Sequence, residues 1–303
     1  GNNNMKINSN SIRIKDVTSH LGTFDISSNN KLEVFSFIIN ANDFDYKNAT
    51  EQLLESVGEF ALSRKIKKEY KDKPLALSKK AREKFRDYTE NKGELGEFFL
   101  YCFLEGHLGA PKILSKLELK TAKNMYVNGA DGLHYLKLVD GNYHLIFGES
   151  KVEKKLTDGL RHAFESIVDF KKGKNKKDND KSGIMFERGL LNSNLDREIE
   201  DENEKLFLKS IIYPSTKSGF DVDDAFGIFV GFEFNYSHLK KLSNNKFREV
   251  IKEEIIDVTK KQIKNIDKYV EKHKLFGHTF YIYVLPFANV EDDRKMILKE
   301  LLS

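Results

Sequence analysis

The chain has 303 residues, of which 39% are hydrophobic and 32% charged, so it can bury a sizeable core in one large domain or two. Its net charge of +4 excludes a protein that is basic over its whole surface. Cys102 is the only cysteine, which excludes an intrachain disulfide and favours a reducing compartment. Because no apolar run approaches transmembrane length, we expect a cytoplasmic protein that does not enter a membrane.

The first 90 residues contain predicted secondary structure but no residues typical of a catalytic site. The predicted elements are a short strand at Ile12–Ile14, a strand at Leu32–Asn40, a helix that Asn48 or Thr50 caps and Pro74 ends, and a helix from Ser78 through Phe85. We therefore predict that residues 5–90 form an N-terminal α/β elaboration with a docking or scaffold role, and that residues 91–303 form the core domain.

A helix is predicted to begin at Gly93. Its apolar residues cover most of the circumference, so this helix should be largely buried. Glu94 and Glu97 lie three residues apart in its first turn and can share a face. The helix dipole alone favours carboxylates at this position, but one of the two glutamates can also approach a site formed by the strands that follow.

Three strands are predicted next in the chain. The first is the alternating segment Ile113–Ala122, and the second opens at Asp131. Asp140-Gly141 then supplies the left-handed φ angles of a tight hairpin turn. The returning strand, Tyr143–Val152, contains the apolar run Leu145–Phe147, which indicates a central and buried strand.

The segment after the hairpin is predicted to be a helix followed by a charged loop. Apolar residues from Leu156 to Ile167 repeat at helical spacing. Residues 151–181 carry ten Lys or Arg and six Asp or Glu, and the loop Lys171–Lys181 is either a solvated linker or an arm that binds phosphates. A single histidine on a helix is more often a surface or core residue than a functional one. The candidates for nucleic-acid contact are Arg161, His162, Lys171, Lys172 and Lys174.

The C-terminal part begins with an acidic segment. Residues 187–204 contain two arginines and seven Asp or Glu, and this charge would repel phosphates. The predicted elements after it are a strand at Ala225–Phe234, one long helix at Phe247–His273, a strand at Thr279–Leu285 stopped by Pro286, and a helix to Leu302 capped by Asn289. Because no low-complexity linker precedes these elements, we expect them to extend the same sheet.

Asp131, Glu149 and Lys151 are the residues of the hairpin that point to chemistry. Glu149 and Lys151 are two apart on one strand, so they project from the same face. Two carboxylates and a lysine on buried strands are costly unless they are paired or bind a metal ion. Carboxylate oxygens suit Mg²⁺, which polarises a phosphoryl group and lowers the pKa of bound water, and a lysine adds a positive charge for the phosphate. The set therefore suits phosphodiester hydrolysis.

The spacing Glu-x-Lys is not specific by itself, since it recurs in this chain, for example at Glu69–Lys71. Only the motif at Glu149 lies on a buried apolar strand that follows an Asp-bearing strand through a clean turn. The alternative interpretation of these residues is a structural ion pair at a strand end.

The pattern resembles the core of the PD-(D/E)XK nucleases, with Asp131 as the first acid and Glu149-Ser150-Lys151 as the second half of the motif. More narrowly, three segments are similar to the HamA family, which comprises the nuclease subunits of Hachiman antiphage defence systems: Gly93–Glu97, Gly129–Gly132 and Gly148–Lys151. The core resemblance covers about residues 90–170, with looser similarity in element order to the C-terminus. It implies a restriction-endonuclease-like α/β fold with a mixed sheet flanked by helices.

The resemblance also implies roles for individual residues. Asp131, Glu149 and Glu97 would be metal ligands, and Lys151 the catalytic cation. Glu97 is preferred over Glu94 because it matches the family's Gly-x-x-x-Glu spacing from Gly93. The family further implies Mg²⁺- or Mn²⁺-dependent DNA hydrolysis and a superfamily-2 helicase partner, HamB, in antiviral defence. The sequence contains no P-loop, so that partner would supply the motor.

Two alternatives remain open. In the first, the chain keeps the nuclease fold but is catalytically silent and binds only DNA or the helicase. The intact set of Asp131, Glu149 and Lys151 argues against this, since a pure binding protein does not need it. In the second, the chain is a general restriction-type enzyme with its own base specificity, which would require a recognition element for which the sequence offers no candidate.

Overall fold

The computed structural model describes residues 13–27, 30–88, 93–115, 129–172, 188, 192, 195–197 and 199–303. The strands, in chain order, are β1 (Thr18–Ile26), β2 (Asn30–Phe37), β3 (Ile39–Asn40), β4 (Asp43–Phe44), β5 (Lys112–Ser115), β6 (Gly132–Lys137), β7 (Tyr143–Glu153), β8 (Val222–Glu233) and β9 (Phe280–Phe287). The α-helices are α1 (Ile14–Val17), α2 (Tyr46–Ala61), α3 (Arg64–Glu69), α4 (Pro74–Tyr88), α5 (Glu94–Gly106), α6 (Leu156–Lys172), α7 (Glu202–Ile212), α8 (Asn244–Lys260), α9 (Ile263–Lys272) and α10 (Val290–Leu302).

Seven of these strands form one mixed sheet in the order β1-β2-β9-β8-β7-β6-β5. The four inner strands β2, β9, β8 and β7 are parallel, while β1 at one side and β6 and β5 at the other pair antiparallel. Helices cover both faces of β7. A Cβ on Gly96 of α5 would lie 3.1 Å from Ser150 Oγ, and one on Gly159 of α6 would lie 2.6 Å from Val230, the register partner of Lys151. The predicted α/β fold with a mixed sheet flanked by helices is confirmed.

The predicted hairpin of β6 and β7 is present, although of the turn residues Asp140 and Gly141 only Gly141 has a left-handed φ. The Leu138 N–H donates to Asn142 O at 2.8 Å, and Gly141 adopts a φ of 90°, which favours glycine. Leu133 pairs with Phe147, so β6 begins beside Gly148 while β7 continues to Glu153. The end of β7 that carries Glu149 and Lys151 therefore extends past the start of its antiparallel neighbour.

The helix predicted at Gly93 is confirmed as α5, with Gly93 at its N-cap. All of its residues are buried, as its apolar circumference predicts. Glycines on β7 and β8 allow the close approach, because a Cβ on Gly148 would lie 2.7 Å from Leu100 and one on Gly227 would lie 2.8 Å from Leu104. The helix is thereby held against the centre of the sheet, with its N-terminus beside the end of β7.

The N-terminal part of the chain contributes β1 and β2 to the main sheet. β2 pairs in parallel with β9 from Lys31–Tyr281 to Val34–Val284. The boundary at residue 90 between an elaboration and a core remains a prediction, and it does not coincide with a boundary of the sheet. The short strand predicted at Ile12–Ile14 is wrong in its described part, since Ile14 begins the one-turn helix α1.

Three predictions about the N-terminal helices are wrong. The cap of α2 is neither Asn48 nor Thr50 but Asp45, whose carboxylate accepts a hydrogen bond from the Asn48 N–H at 3.1 Å. Pro74 begins α4 instead of ending a helix, because the first turn of a helix does not need the N–H that proline lacks. Ser78, the predicted cap of that helix, lies inside it.

The strand predicted at 113–122 and the helix predicted at 156–167 are present as β5 and α6, although residues 116–122 lie outside the described residues. The single helix predicted at 247–273 is wrong. It is divided between α8 and α9, where the Gln262 N–H bonds to Thr259 O in a tighter turn and the Gln262 amide donates to Thr157. Asn289 caps α10 as predicted.

Pro286 does not stop β9, which runs to Phe287. The register between β2 and β9 ends at Val284, so the N–H that Pro286 lacks is not needed for a hydrogen bond to β2. β8 alone borders β9 at this height, with Phe232 opposite Pro286.

Candidate metal-dependent hydrolytic site

Asp131 immediately precedes β6, at the place where β7 continues past the beginning of β6. Its N–H donates to Gly148 O at 2.8 Å. Its carboxylate accepts from β7 where a longer β6 would have offered a backbone carbonyl. Asp131 Oδ2 accepts hydrogen bonds from the Ser150 N–H at 2.8 Å and from Ser150 Oγ at 3.1 Å. The carboxylate is thus fixed beside the residue that separates Glu149 from Lys151, and it is buried, with 8% of the residue exposed.

Glu149 and Lys151 project from the same face of β7, as the alternation predicts. Lys151 Nζ lies 3.4 Å from Glu149 Oε1, and the side chains are 28% and 12% exposed respectively. This face is the one that α6 covers, while Ser150 points to the face that α5 covers. Asp131 and the Glu149–Lys151 pair therefore lie at the same end of β7, and their joint role as a catalytic set remains a prediction.

The first turn of α5 adds two buried carboxylates from the other face. Glu94 is 1% exposed and Glu97 is 4% exposed. Gly96 lies between them and approaches Ser150, the residue that binds Asp131, so the chain of contacts from α5 to Asp131 passes through Ser150. Glu97 is placed at the same end of β7 as Asp131 and Glu149, and its role as a ligand remains a prediction.

The donor set at this end of the sheet fits a hard divalent cation. Glu97, Asp131 and Glu149 offer only carboxylate oxygens, the ligands that Mg²⁺ and Mn²⁺ prefer. Burying several carboxylates near one another is unfavourable without positive charge, and Lys151 supplies one positive charge. A divalent ion would offset the remaining excess of negative charge.

Arg161 and His162 lie on α6 at the same end of β7. His162 Nδ1 is 2.6 Å from Glu153 Oε1, which fixes the imidazole to the last residue of the strand. Arg161 forms an exposed ion pair of 3.3 Å with Asp158 on its own helix. Both side chains remain partly exposed, and phosphate contact by either stays a prediction.

Lys171 lies at the opposite end of α6 from His162. Its Nζ is 2.7 Å from His278 Nε2, and burial lowers the pKa of the lysine. His278 Nδ1 in turn lies 2.9 Å from Asp224 O, and Asp224 pairs in register with Leu145, near the beginning of β7. Lys172 is exposed, and Lys174 lies outside the described residues. Lys171 and Lys172 are thus not part of the carboxylate cluster.

Two residues of the site were missed by the sequence reasoning. Ser150 was treated as the variable middle of Glu-x-Lys, yet it is the residue that holds Asp131. Glu153, which binds His162, was assigned no role. Alternation along β7 gives the only available signal, since it places Glu153 on the same face as Lys151.

The described part of the acidic segment contacts the N-terminal region of the same chain. Glu200 forms an ion pair with Lys68, and Glu204 Oε1 lies 3.2 Å from Arg64 Nε. Arg64 also donates to the carbonyl oxygens of Lys112 and Ile113. Part of the negative charge that would repel phosphate is therefore offset within the molecule.

Comparison with protein families gives one match. The family model HamA matches residues 12–301 of the 303-residue chain. A search of curated proteins finds no match. Among the helices of the described ranges, none combines the length and apolar character needed to cross a bilayer.

Proposed function

The chain belongs to the HamA family, and on that premise we propose that it is the nuclease subunit of a Hachiman antiphage defence system. Family membership supports the assignment to Hachiman defence. The proposal adds an activity, which is hydrolysis of DNA phosphodiester bonds dependent on Mg²⁺ or Mn²⁺.

One observation carries the activity. The Asp131 carboxylate is held on Ser150, the residue between Glu149 and Lys151 on β7, and the charged atoms of Glu149 and Lys151 are 3.4 Å apart. These three residues lie at one end of a buried strand, next to a helix N-terminus with two further buried acids. A plain surface ion pair does not need this burial or these additional carboxylates.

Asp131, Glu149 and Glu97 are the residues that would hold the ion. When bound, such an ion supplies a Lewis acid for the scissile phosphate and lowers the pKa of a bound water. Ser150 orients Asp131 through two hydrogen bonds, and Glu149 holds Lys151 by its charge. Lys151 presents an ammonium group that can stabilise negative charge developing on the phosphate. Glu153 orients His162 so that its exposed edge can meet the DNA backbone.

The experiment is incubation of supercoiled plasmid with the purified chain and Mg²⁺, with and without the co-purified helicase. We expect Glu149→Gln and Lys151→Met to lower cleavage by roughly 100-fold or more while the protein stays folded, because each removes a charge that acts on the phosphate or on the ion. The matched control is the double variant Lys252→Met, Glu253→Gln, which removes the same two charges from the exposed face of α8. It should cleave like the unaltered chain.

Cleavage by folded Glu149→Gln protein at the unaltered rate would contradict the assignment. If the unaltered chain fails to cut DNA with Mg²⁺ or Mn²⁺ in the presence of the helicase, the catalytically silent alternative is favoured. The Asp131–Ser150 and Glu149–Lys151 contacts would then be structural.

The proposed partner is the superfamily-2 helicase HamB, which the HamA family implies and which would supply the motor that this sequence, without a P-loop, lacks. We expect the N-terminal region to supply much of the docking surface. Leu75 on α4 is 86% exposed, and an apolar side chain of this kind gains free energy when a partner covers it. The acidic segment offers less, because its described residues Glu200 and Glu204 already pair with Lys68 and Arg64.

Two exposed leucines make a matched test of this docking surface. Leu75→Glu should weaken capture of the helicase by about tenfold, the effect of a small loss of apolar contact plus an added charge. Leu206→Glu makes the same change on α7, where Leu206 is 62% exposed, and should leave capture unchanged. If only Leu206→Glu weakens the complex, the interface lies at the acidic segment. If neither matters, the N-terminal docking proposal is wrong.

A further inference from the structure

We propose that His20, Glu33 and His107 form a second metal site, which takes a borderline divalent transition ion such as Zn²⁺. The three residues come from β1, from β2 and from the position that follows α5. Each offers one ligand atom, and these atoms all lie within 4.8 Å of one another. This site is independent of the proposed nuclease activity.

A β-bulge turns His20 toward Glu33. The register of β1 and β2 shifts between His20 and Gly22, so His20 and Thr23 lie on the same face although they are three residues apart. His20 Nε2 lies 2.7 Å from Glu33 Oε2, and Thr23 Oγ1 donates to the same carboxylate oxygen at 2.7 Å. The hydroxyl of Thr23 thereby holds the carboxylate in place.

His107 brings the second imidazole from the end of α5. Its ring meets the His20 ring edge-on with centroids 5.2 Å apart, and both rings pack on Phe35. His107 Nδ1 lies 2.8 Å from the hydroxyl of Tyr283, which is the register partner of Glu33. This contact leaves Nε2 as the ligand atom. It is also the kind of hydrogen bond that orients a histidine ligand in known metal sites.

The donor set selects the class of ion. Two imidazole nitrogens and one carboxylate oxygen suit Zn²⁺ and its neighbours, whereas Mg²⁺ prefers oxygen ligands throughout. Ligand atoms at about 2.0–2.1 Å from a tetrahedral Zn²⁺ are roughly 3.3 Å apart, so closing the site requires a small rotation of the exposed His20 side chain. With three protein ligands, the fourth position stays open to water.

The position of the site in the fold indicates its effect. The ion would join the β1–β2 hairpin to the C-terminal end of α5, the helix whose first turn carries Glu97. Glu97 and His107 are ten positions apart along the helix, a distance of about 15 Å, so the two sites bind their ions separately. A metal ion that binds only the folded chain raises its free energy of unfolding by mass action.

The test is equilibrium dialysis of the full chain against Zn²⁺ in excess Mg²⁺, which occupies an all-oxygen site. We expect one equivalent of Zn²⁺ to remain bound, and Co²⁺ in its place to give the visible absorption of a tetrahedral or five-coordinate ion. His20→Gln should lose that equivalent, with at least a tenfold weaker affinity, and should leave folding intact because His20 is exposed. Glu33→Gln provides a second variant that keeps the hydrogen-bonding shape of the side chain.

The matched control is His238→Gln, because His238 also pairs with a glutamate, Glu254, at 3.0 Å on the surface. It should keep the bound Zn²⁺, and so should Glu149→Gln. No retained Zn²⁺ in the unaltered chain, unchanged binding in both His20→Gln and Glu33→Gln, or loss of the ion in Glu149→Gln alone would overturn the proposal.

Discussion

The two ends of β7 both gather charged side chains, but with opposite balances. At the beginning of β7, Lys171 contacts His278, and Arg188 pairs with Asp224. At its far end are the buried acids Glu97 and Asp131 and the largely buried Glu149, which pairs with Lys151. Burial is the main cause that raises the pKa of Asp224, while its partner Arg188 lowers the pKa in part and supplies the opposite charge.

The difference between these ends shows which feature marks a candidate ion site. Charged groups whose signs balance form a closed structural network. An excess of carboxylates in a buried place favours a bound cation, and the far end of β7 has that excess among the described residues. We therefore expect an Asp→Asn substitution to lower catalysis at the far end of β7 and to lower stability at its beginning.

The largest expected effect is the loss of DNA cleavage in Asp131→Asn, which is compared with Asp224→Asn at the other end of β7. Asp131→Asn should lower Mg²⁺-dependent plasmid cleavage by roughly 100-fold or more, because it removes a ligand charge. Asp224→Asn should leave the cleavage rate within about threefold and lower the free energy of unfolding by about 1–3 kcal/mol, since Arg188 loses its partner. Cleavage rates and denaturant titrations measure the two effects. Equal loss of cleavage in both variants would contradict the distinction between the ends.

The next largest effect is expected on stability, from the close packing of α5 against the far end of β7 at Gly96. Gly96→Ala should lower the free energy of unfolding by about 1–3 kcal/mol, because its Cβ would lie 3.1 Å from both Ser150 Oγ and Val152 Cγ2. Cleavage should fall as well, since Ser150 holds Asp131.

The control for this substitution is Gly58→Ala on α2, where a Cβ meets nothing within 4 Å. Alanine there should be neutral or stabilise the protein by about 0.4–1 kcal/mol, because it reduces the freedom of the unfolded chain. Urea unfolding of both variants checks the prediction. A Gly96→Ala protein as stable as Gly58→Ala would show that α5 can shift away from β7 without cost.

The smallest effect is expected on DNA affinity, from the lysines at the C-terminal end of α6. Lys172→Gln should reduce the slope of log Kd against log salt by about one, as expected when one phosphate contact is lost. Lys171→Gln should leave the slope unchanged, because His278 holds the Lys171 ammonium. Binding is measured in the Glu149→Gln background so that DNA is not consumed. If Lys172→Gln leaves the slope unaltered, this end of α6 does not contact the backbone.

The alternation of the sequence was sufficient to predict the hairpin, the burial of β7 and the common face of Glu149 and Lys151. These features depend on local periodicity and on the turn at Asp140-Gly141, both of which are visible in a short window. The placement of Asp131 at the same end of the hairpin as Glu149 and Lys151 could be predicted for the same reason, since the three residues lie at the two strand ends of one hairpin.

The errors come from contacts that a short window does not contain. Pro286 was predicted to stop a strand, but its effect depends on where β2, some 250 residues earlier, stops pairing. The break between α8 and α9 involves a contact from Gln262 to Thr157 on α6. The role of Ser150 depends on the side chain of Asp131, which reaches it because β6 is shorter than β7. Each outcome is decided by tertiary pairing and not by propensity.

The grouping of His20, Glu33 and His107 had no sequence signal at all. The residues do not follow the short spacings that identify histidine metal sites within one element. A bulge in β1 sets the direction of His20, and the register of β2 with β9 places Tyr283 beside Glu33. Neither feature can be read from a single sequence.

The parallel pairing of β2 with β9 also sets the order in which the chain can assemble. The Phe280 N–H donates to Asn30 Oδ1, and these residues are 250 positions apart. At about 5–20 residues per second, a ribosome needs roughly 12–50 s to make the intervening chain. The β1–β2 hairpin cannot pair with β9 until that time has passed. Contacts between residues so far apart in sequence also slow folding. The edge of β2 is exposed to other chains during this interval, so the nascent protein is most prone to misassociate before β9 leaves the ribosome.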